Sequence, residues 1–247
     1  MKVSFIIPAY NEEGILGACL ESVQREIAHG RYEAEIIVVN NASTDRTAEI
    51  ARGFSEVRVV NEQHKGLTHA RQAGYRASSG DLIANIDADT VIPEGWLATV
   101  MSEFERNPNL VALSGPFVYH DLPFLKRTLA NLFITTYPLV NFIVQHILHA
   151  GAILQGGNFV LRRTALAKIG GYDTSIEFYG EDTDIARRIS KVGEVKWTLR
   201  FPIYASGRRL QKEGLLGTGF RYALNFFWTI IFRKPYTLEH YDIRTKK

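Results

Sequence analysis

Leu82-Ile83-Ala84-Asn85-Ile86, followed by Asp87-Ala88-Asp89, is the stretch that decides the fold. Four apolar positions out of five read as a short buried strand over residues 82–86. Such a strand delivers two carboxylates to its C-terminal edge, where open α/β sheets bind their ligands. On an extended chain, residues two apart share a face; a turn just after Ile86 lets both carboxylates converge on one hard cation, or on a cation and a sugar hydroxyl. Magnesium and manganese favour oxygen ligands of this kind, often shared with a substrate phosphate. Asp-x-Asp alone is also an ordinary solvated turn, so its weight depends on its surroundings.

Those surroundings alternate strand and helix. Residues 3–7 read as a strand, and residues 12–27 as a helix with Ile15, Leu16, Leu20, Val23 and Ile27 on one face. Further strands are expected over 36–39 and 57–60. Helices are expected over 45–52, capped by Ser43 or Thr44, and over 67–77. This β-α-β-α-β-α-β order predicts a mostly parallel, doubly wound sheet. Downstream, 93–106 reads as a helix and 110–118 as one strand. The expected layout is a domain over 1–210, with a nucleotide-binding half (1–90) and an acceptor half (91–210), then a basic aromatic extension over 211–247.

At 247 residues, 46% hydrophobic and 22% charged, the chain has an ordinary globular composition and room for a sizeable core. Its one cysteine, Cys19, reads as a buried structural thiol suited to a reducing compartment. The N-terminal apolar run is too short for a signal peptide. Together these place the protein in the cytoplasm or peripherally on the inner face of the membrane. The net charge of +3 is uneven: residues 200–247 carry ten Lys and Arg against three Asp and Glu. A basic end of this kind suits an anionic surface or ligand. No nucleic-acid motif accompanies it.

Residues 128–161 contain no Asp, Glu, Lys or Arg. Asn131, Thr135, Pro138, Asn141, Gln145 and His149 recur at steps of three or four and make a polar stripe, with Leu129, Leu132, Phe133, Val140 and Ile143 on other faces. An amphipathic helix kinked near Pro138 fits better than a membrane span. It either packs on the core or lies in a membrane interface. The aromatic run Phe220–Phe232, followed by Arg233 and Lys234, is too short to span a bilayer. It suits the headgroup boundary or an oligomer interface, and the reading favoured is peripheral membrane contact.

A parallel sheet gathers its strand ends at one rim. Here these are Pro8-Ala9-Tyr10-Asn11-Glu12, Asn40-Asn41-Ala42-Ser43-Thr44-Asp45, the Asp87/Asp89 pair, and the helix carrying Lys65 and Arg71. Such a rim can hold a nucleoside diphosphate, with the base over the first two strands, the diphosphate near Arg71 and the metal at Asp87/Asp89. His64, His69, His120, His146 and His149 match no strong zinc spacing. Trp96, Trp197 and Trp228 read as core or interface, although Trp96 follows the Asp-x-Asp loop closely enough to flank a sugar.

Six segments in order resemble the inverting family-two glycosyltransferases: Ile6 through Glu13, Val38 through Asp45, Gly66 through Arg71, Gly80-Asp81 leading to Asp87-Ala88-Asp89, Gly156-Gly157-Asn158-Phe159, and Gly180-Glu181-Asp182-Thr183-Asp184 through Arg188. They cover residues 3–190. The resemblance implies a GT-A fold (an α/β, Rossmann-like, mostly parallel central sheet with flanking helices), here with C-terminal amphipathic and aromatic helices. It also implies transfer of one sugar from a nucleotide-sugar donor, with Mn2+ or Mg2+. Asp89 is then the metal ligand, with Asp87 toward the ribose. Asn40 and Asn41 fall at the nucleobase and Arg71 near the donor. Pro8, Tyr10, Glu12, Lys65, Ala88 and Asn158 complete the donor contacts. The Glu181-Asp182 motif supplies the catalytic acids, with Asp182 the general base. Its place at a helix start implies that it ionises readily.

Three departures matter. Family members carry aspartates where this chain has Asn40-Asn41. A late metal-binding histidine is replaced by Ser206-Gly207-Arg208-Arg209, where either arginine suits the diphosphate. The processive signature Gln-x-x-Arg-Trp is absent, which favours transfer of a single sugar. The acceptor reads as a saccharide hydroxyl or a polyprenyl phosphate, in envelope glycan or glycolipid synthesis. The rival readings are a nucleotidyltransferase, which lacks its glycine-rich loop here, and a catalytically silent binding protein on the same fold. The sequence is silent on oligomeric state.

Overall fold

The computed structural model describes residues 1–147, 151–176, 180–232 and 236–237. His149, Arg233 and Lys234 lie outside the described residues. The expected alternation is present: β1 (Val3–Ala9), α1 (Leu16–Gly30), β2 (Ala34–Asn41), α2 (Thr47–Arg52), β3 (Val57–Glu62), α3 (Leu67–Ala77) and β4 (Leu82–Ile86). Next come β5 (Thr90–Val91), α4 (Trp96–Arg106), β6 (Leu110–Ser114) and β7 (Phe117–Tyr119).

Several helices start later than the sequence implies, each for a local reason. Residues 12–15 form a turn before α1, after Asn11 takes a left-handed φ of 52°. Neither Ser43 nor Thr44 caps α2. The Ser43 hydroxyl accepts from the Asn11 N–H at 3.1 Å, and Asp45 accepts the Thr47 N–H at 2.9 Å instead. α4 begins at Trp96 because Glu26, buried in α1, accepts the Gly95 and Leu97 N–H groups at 2.9 and 3.0 Å. That carboxylate satisfies helix-start donors which no side chain of α4 itself reaches.

The outer elements follow: α5 (Phe124–Ile134), α6 (Tyr137–Phe142), a π-helical turn (Ile143–Ile147), β8 (Asn158–Arg162), α7 (Arg163–Lys168), α8 (Glu181–Ile189), β9 (Glu194–Trp197), β10 (Ile203–Ala205), α9 (Arg208–Glu213) and α10 (Leu215–Phe232). The main sheet runs β3-β2-β1-β4-β8-β6-β9. It is parallel except for β8, which is antiparallel to both β4 and β6. Val3, Phe5 and Ile7 pack on one face beneath α1 and α4; Ile6, Ile37, Val39 and Ile83 pack on the other with Ala70, Ile185 and Ile189. Period-two alternation thus feeds two apolar layers, each fully buried Leu or Ile contributing about 1.5–3 kcal/mol.

β1 pairs with β4 only as far as Ile6↔Asn85, yet with β2 as far as Ala9↔Asn40. The strands part there, where the strand order reverses, and this opens the crevice that such sheets use for ligands. Pro8 lies beyond the last β1–β4 pair, so its missing N–H breaks no ladder bond with β4.

Residues 110–118 form two strands in two different sheets. Gly115-Pro116 separates them, and a side chain at Gly115 would collide with the Phe201 carbonyl. β7 joins a small sheet of order β5-β10-β7 that the sequence did not announce. Pairing of Ala205 with Thr90, continued by a 3.1 Å bond from the Ser206 N–H to the Asp89 carbonyl, brings the late chain onto the end of β4.

The amphipathic helix expected in the uncharged stretch 128–161 begins earlier, and it breaks before Pro138. α5 starts after Pro123 and ends where the Thr135 and Thr136 hydroxyls bond back to Leu132 and Phe133 carbonyls at 2.7 Å. Pro138 lies in the first turn of α6, where proline is well tolerated, so it starts a helix rather than kinking one. Of the polar stripe, Asn131, Thr135 and Pro138 are exposed, whereas Asn141 and Gln145 turn inward. Asn141 accepts the Ile153 N–H at 3.0 Å, and Gln145 donates to the Val195 carbonyl at 3.1 Å. Phe124, Leu125, Leu132 and Leu139 are instead 64–75% exposed. α10 rests on α8, with Thr229 buried against Gly180, and exposes Phe220, Tyr222 and Phe227. Among the described residues, no helix is long and apolar enough to cross a membrane.

Candidate functional site

The chain turns directly after Ile86. The Asp87 carbonyl accepts the Thr90 N–H at 3.1 Å and its hydroxyl at 2.7 Å, which swings Asp87 and Asp89 onto the rim of the crevice. Asp87 Oδ1 accepts from Arg71 Nη2 at 3.3 Å. Asp89 Oδ2 accepts from Arg208 Nη2 at 3.1 Å, and the same nitrogen donates to Glu12 Oε1 at 2.7 Å. Burial pushes Asp87 up to about 6, against the pull of Arg71, with the charges of Asp89 and Glu12 adding to the rise.

Arg71 is completely buried. From α3 it reaches Asp87 with one nitrogen and Glu181, at the start of α8, with another. Expected near the diphosphate, the Arg71 guanidinium has no exposed surface and is held between two carboxylates. Glu181 is correspondingly committed to Arg71. Burial pushes it up to about 7 despite the arginine, and neighbouring Asp182 adds to the rise.

Asp182 is half-buried beside the Gly156-Gly157 turn. Its Oδ1 accepts the Thr183 N–H at 2.8 Å, and its Oδ2 accepts the Gly156 N–H at 3.3 Å. Its pKa lies above the ordinary aspartate range, because burial outweighs the lowering by the Thr183 N–H, Arg71 and the Gly156 N–H. That overturns the reading from its helix-start position, which had it ionising readily. Gly157 lies on the other side of the turn at φ +78°, and a Cβ there would collide with the Asp87 carboxylate. One two-glycine turn therefore separates the rim carboxylate of β4 from the carboxylate of α8.

On the β1–β2 side, the Lys65 ammonium lies 3.9 Å from the Tyr10 ring centroid. Asn40 donates to Asn61 at 3.0 Å, while its buried Oδ1 has no partner among the described residues. Asn41 is otherwise employed. It donates to the Glu62 and His64 carbonyls and accepts the Gly66 N–H at 2.8 Å, which fixes the turn into α3. Pro8 lines the parting of β1 from β4, and Ala88 is buried beneath the two aspartates.

Two residues expected at the ligand belong to the core. Asn158 is wholly buried, accepting from Trp96 Nε1 at 3.2 Å and donating to the Gly115 and Phe201 carbonyls at 3.1 and 2.9 Å. Trp96 is 2% exposed and packs on Phe5 and Phe201, so it flanks no sugar. The two arginines after Gly207 also separate in role. Arg208 reaches the rim, whereas Arg209 pairs with Glu213 at 2.9 Å. Gly156 and Gly157, part of the fifth of the six segments, make the close approach that a Gly-Gly pair before a strand signals.

The rim holds Glu12, Asp87, Asp89, Glu181 and Asp182 against two guanidiniums, Arg71 and Arg208. Hard oxygen donors with surplus negative charge fit Mg2+ or Mn2+. Among the described residues no group of three or more His, Cys, Asp or Glu side chains gathers as a metal cage. The set therefore fits an ion held by one or two carboxylates and completed by donor phosphates.

Residues 4–170 match the family described as glycosyl transferase family 2. The chain is 29% identical over 207 residues to the probable glycosyltransferase YdaM of Bacillus subtilis (strain 168), covering 78% of this chain and 47% of that protein. It is 27% identical over 250 residues to the poly-beta-1,6-N-acetyl-D-glucosamine synthase of Staphylococcus epidermidis, covering 96% of this chain and 59% of that one. The chain thus spans about half the length of these relatives. Its fold matches that of the mannosyltransferase PcManGT from Pyrobaculum calidifontis, solved in complex with GDP-Man and Mn2+, at a TM-score of 0.66 and 22% identity over 87% of this chain and 62% of that one.

Proposed function

The chain belongs to glycosyl transferase family 2, and we propose that it transfers a single sugar from a nucleotide-sugar donor to an acceptor, with inversion at the anomeric carbon. The observation that carries this reading is the Gly156-Gly157 turn. It touches Asp182 on one side and abuts Asp87 on the other, so a base and the donor carboxylates share one rim.

In this mechanism Asp182 takes the proton of the acceptor hydroxyl as its oxygen bonds to the anomeric carbon. The bond from that carbon to the phosphate oxygen breaks, and the nucleoside diphosphate leaves with the electron pair. The raised pKa of Asp182 makes it a stronger base once ionised. Arg71 holds Glu181 and Asp87 in register beneath it. Asn40, whose buried Oδ1 lacks a partner among the described residues, would accept a nucleobase N–H once its side chain turns toward the crevice. Asp89 and Asp87 would hold a Mg2+ or Mn2+ ion, which would supply charge stabilisation to the leaving diphosphate.

The acceptor in this proposal is lipid-linked, and the protein binds peripherally to the inner face of the membrane. Support comes from the exposed Phe124, Leu125, Leu132, Phe133 and Leu139, beside Lys126 and Arg127. The buried thiol of Cys19 suits a reducing compartment. A polyprenyl phosphate is the second reading, favoured by the same apolar face. Its oxygen is already ionised, so Asp182→Asn costs little with such a lipid and much with a sugar hydroxyl.

Binding and hydrolysis across a panel of nucleotide sugars, with and without Mn2+, test the proposal in wild type and Asp89→Ala. Metal-dependent selection of one donor that the variant loses is expected. Donor binding without turnover over a broad acceptor panel would instead identify a silent binding protein.

A further inference from the structure

Arg208 stands against Asp89, the carboxylate to which the proposed function gives the metal. Its Nη2 lies 2.7 Å from Glu12 Oε1 and 3.1 Å from Asp89 Oδ2, so one donor nitrogen joins carboxylates 77 positions apart in sequence. A magnesium-sized ion bound to Asp89 at about 2.0–2.1 Å would lie within the shell that this guanidinium fills. Two cations do not share one carboxylate oxygen at that range without strong repulsion.

The local build lets the side chain move while its backbone stays. Asp121 accepts from the Ser206 hydroxyl at 2.7 Å and the Gly207 N–H at 2.6 Å, and its carbonyl accepts from Gln211 at 2.9 Å. The turn into α9 is pinned on both sides of Arg208. The side chain itself is 26% exposed, and its Nε–H is buried with no partner among the described residues. A phosphate oxygen would satisfy that donor, and guanidinium geometry matches phosphate in a two-point contact.

We propose that Arg208 is the resting counter-cation of the Asp89 site, and that it exchanges with the divalent ion when a nucleoside diphosphate arrives, turning from Glu12 and Asp89 to the phosphates. The inference rests on the nucleotide-sugar reading above and adds an order of events to it. The ion binds poorly before the nucleotide, because an internal cation holds its place. Ion and nucleotide are therefore coupled, each raising the affinity of the other by the same factor.

The test is Mn2+ binding by the full chain, read from the loss of the free-ion electron paramagnetic resonance signal. It is measured without nucleotide and with UDP or GDP, after subtraction of nucleotide-only blanks. Arg208→Gln is expected to bind Mn2+ alone about tenfold or more tighter than wild type and to lose most of the nucleotide coupling, within the 5–150-fold range usual for linked sites. Arg208→Lys keeps a charge beside Glu12, which safeguards folding, on a shorter side chain without the planar fork; its Mn2+ affinity is expected between the other two. Equal Mn2+ affinity of wild type, Arg208→Lys and Arg208→Gln without nucleotide overturns the inference and leaves the donor reading standing. No Mn2+ bound by any of the three, with UDP or GDP, overturns both.

Discussion

The four-stranded half from β1 to β4 and the helical segment from α5 to the π turn use the same kinds of residue in opposite senses. In α1, Leu16, Leu20 and Val23 face the sheet and are fully buried. In α5 the only buried residue is Ala130, and in α6 there is none. There Asn141 and Gln145 turn inward to bond backbone, while Leu132 and Phe133 face out. An amphipathic pattern states that a helix has two environments. Which face meets the protein depends on what lies beneath, and beneath α6 lies a loop with backbone groups to satisfy.

The largest expected effect belongs to the rim that the first half builds. Asp182→Asn should lower kcat toward a hydroxyl acceptor by about 10²–10⁴-fold while leaving circular dichroism unchanged. Arg71→Met strands Glu181 and Asp87 without their buried counter-charge, and urea denaturation should show a loss of about 3–5 kcal/mol. The comparison of helices is sharpened by a matched pair of truncations. Leu20→Ala in α1 should cost about 2–5 kcal/mol. Leu132→Ala in α5 should stay within about 0.5 kcal/mol. If Leu132→Ala proved as costly as Leu20→Ala, the outward face of α5 would be a core face and the contrast would collapse. The double variant Leu132→Ser/Phe133→Ser should instead lose sedimentation with anionic lipid vesicles at unchanged stability.

A smaller effect concerns pH. Glu181 is raised to about 7 in the folded protein, above the 4.5 of an ordinary glutamate. Between these values the folded state binds more protons than the unfolded one, so this group lowers stability as pH rises from about 4.5 to about 7 and has no further effect above. Glu181→Gln should flatten the stability profile in that window.

How much of this was legible depended on range. The helix over 67–77 and the strand over 82–86 were readable to the residue, because Gly66 opens one and Gly80-Asp81 precedes the other. The start of α1 was not, since the left-handed turn at Asn11 answers to Ser43 and Thr44 from another loop. The small sheet of β5, β10 and β7 has strands of two or three residues, too short for any period to register. Asp87 and Asp89 could be read as rim residues from local pattern alone. The contact of Arg208 with Glu12, 196 positions away, leaves no trace in either segment. The ionisation of Asp182 was misread because helix position is visible in sequence and desolvation is not.

That long-range contact also bears on how the protein is made. Synthesis runs from the N-terminus, and early elements begin to organise while later ones are still being added. Glu12 and Asp89 are translated long before Arg208, the residue that neutralises them. For that interval the nascent half-site carries unbalanced negative charge, and cellular divalent ions can serve as its provisional counter-charge until the ribosome delivers the arginine.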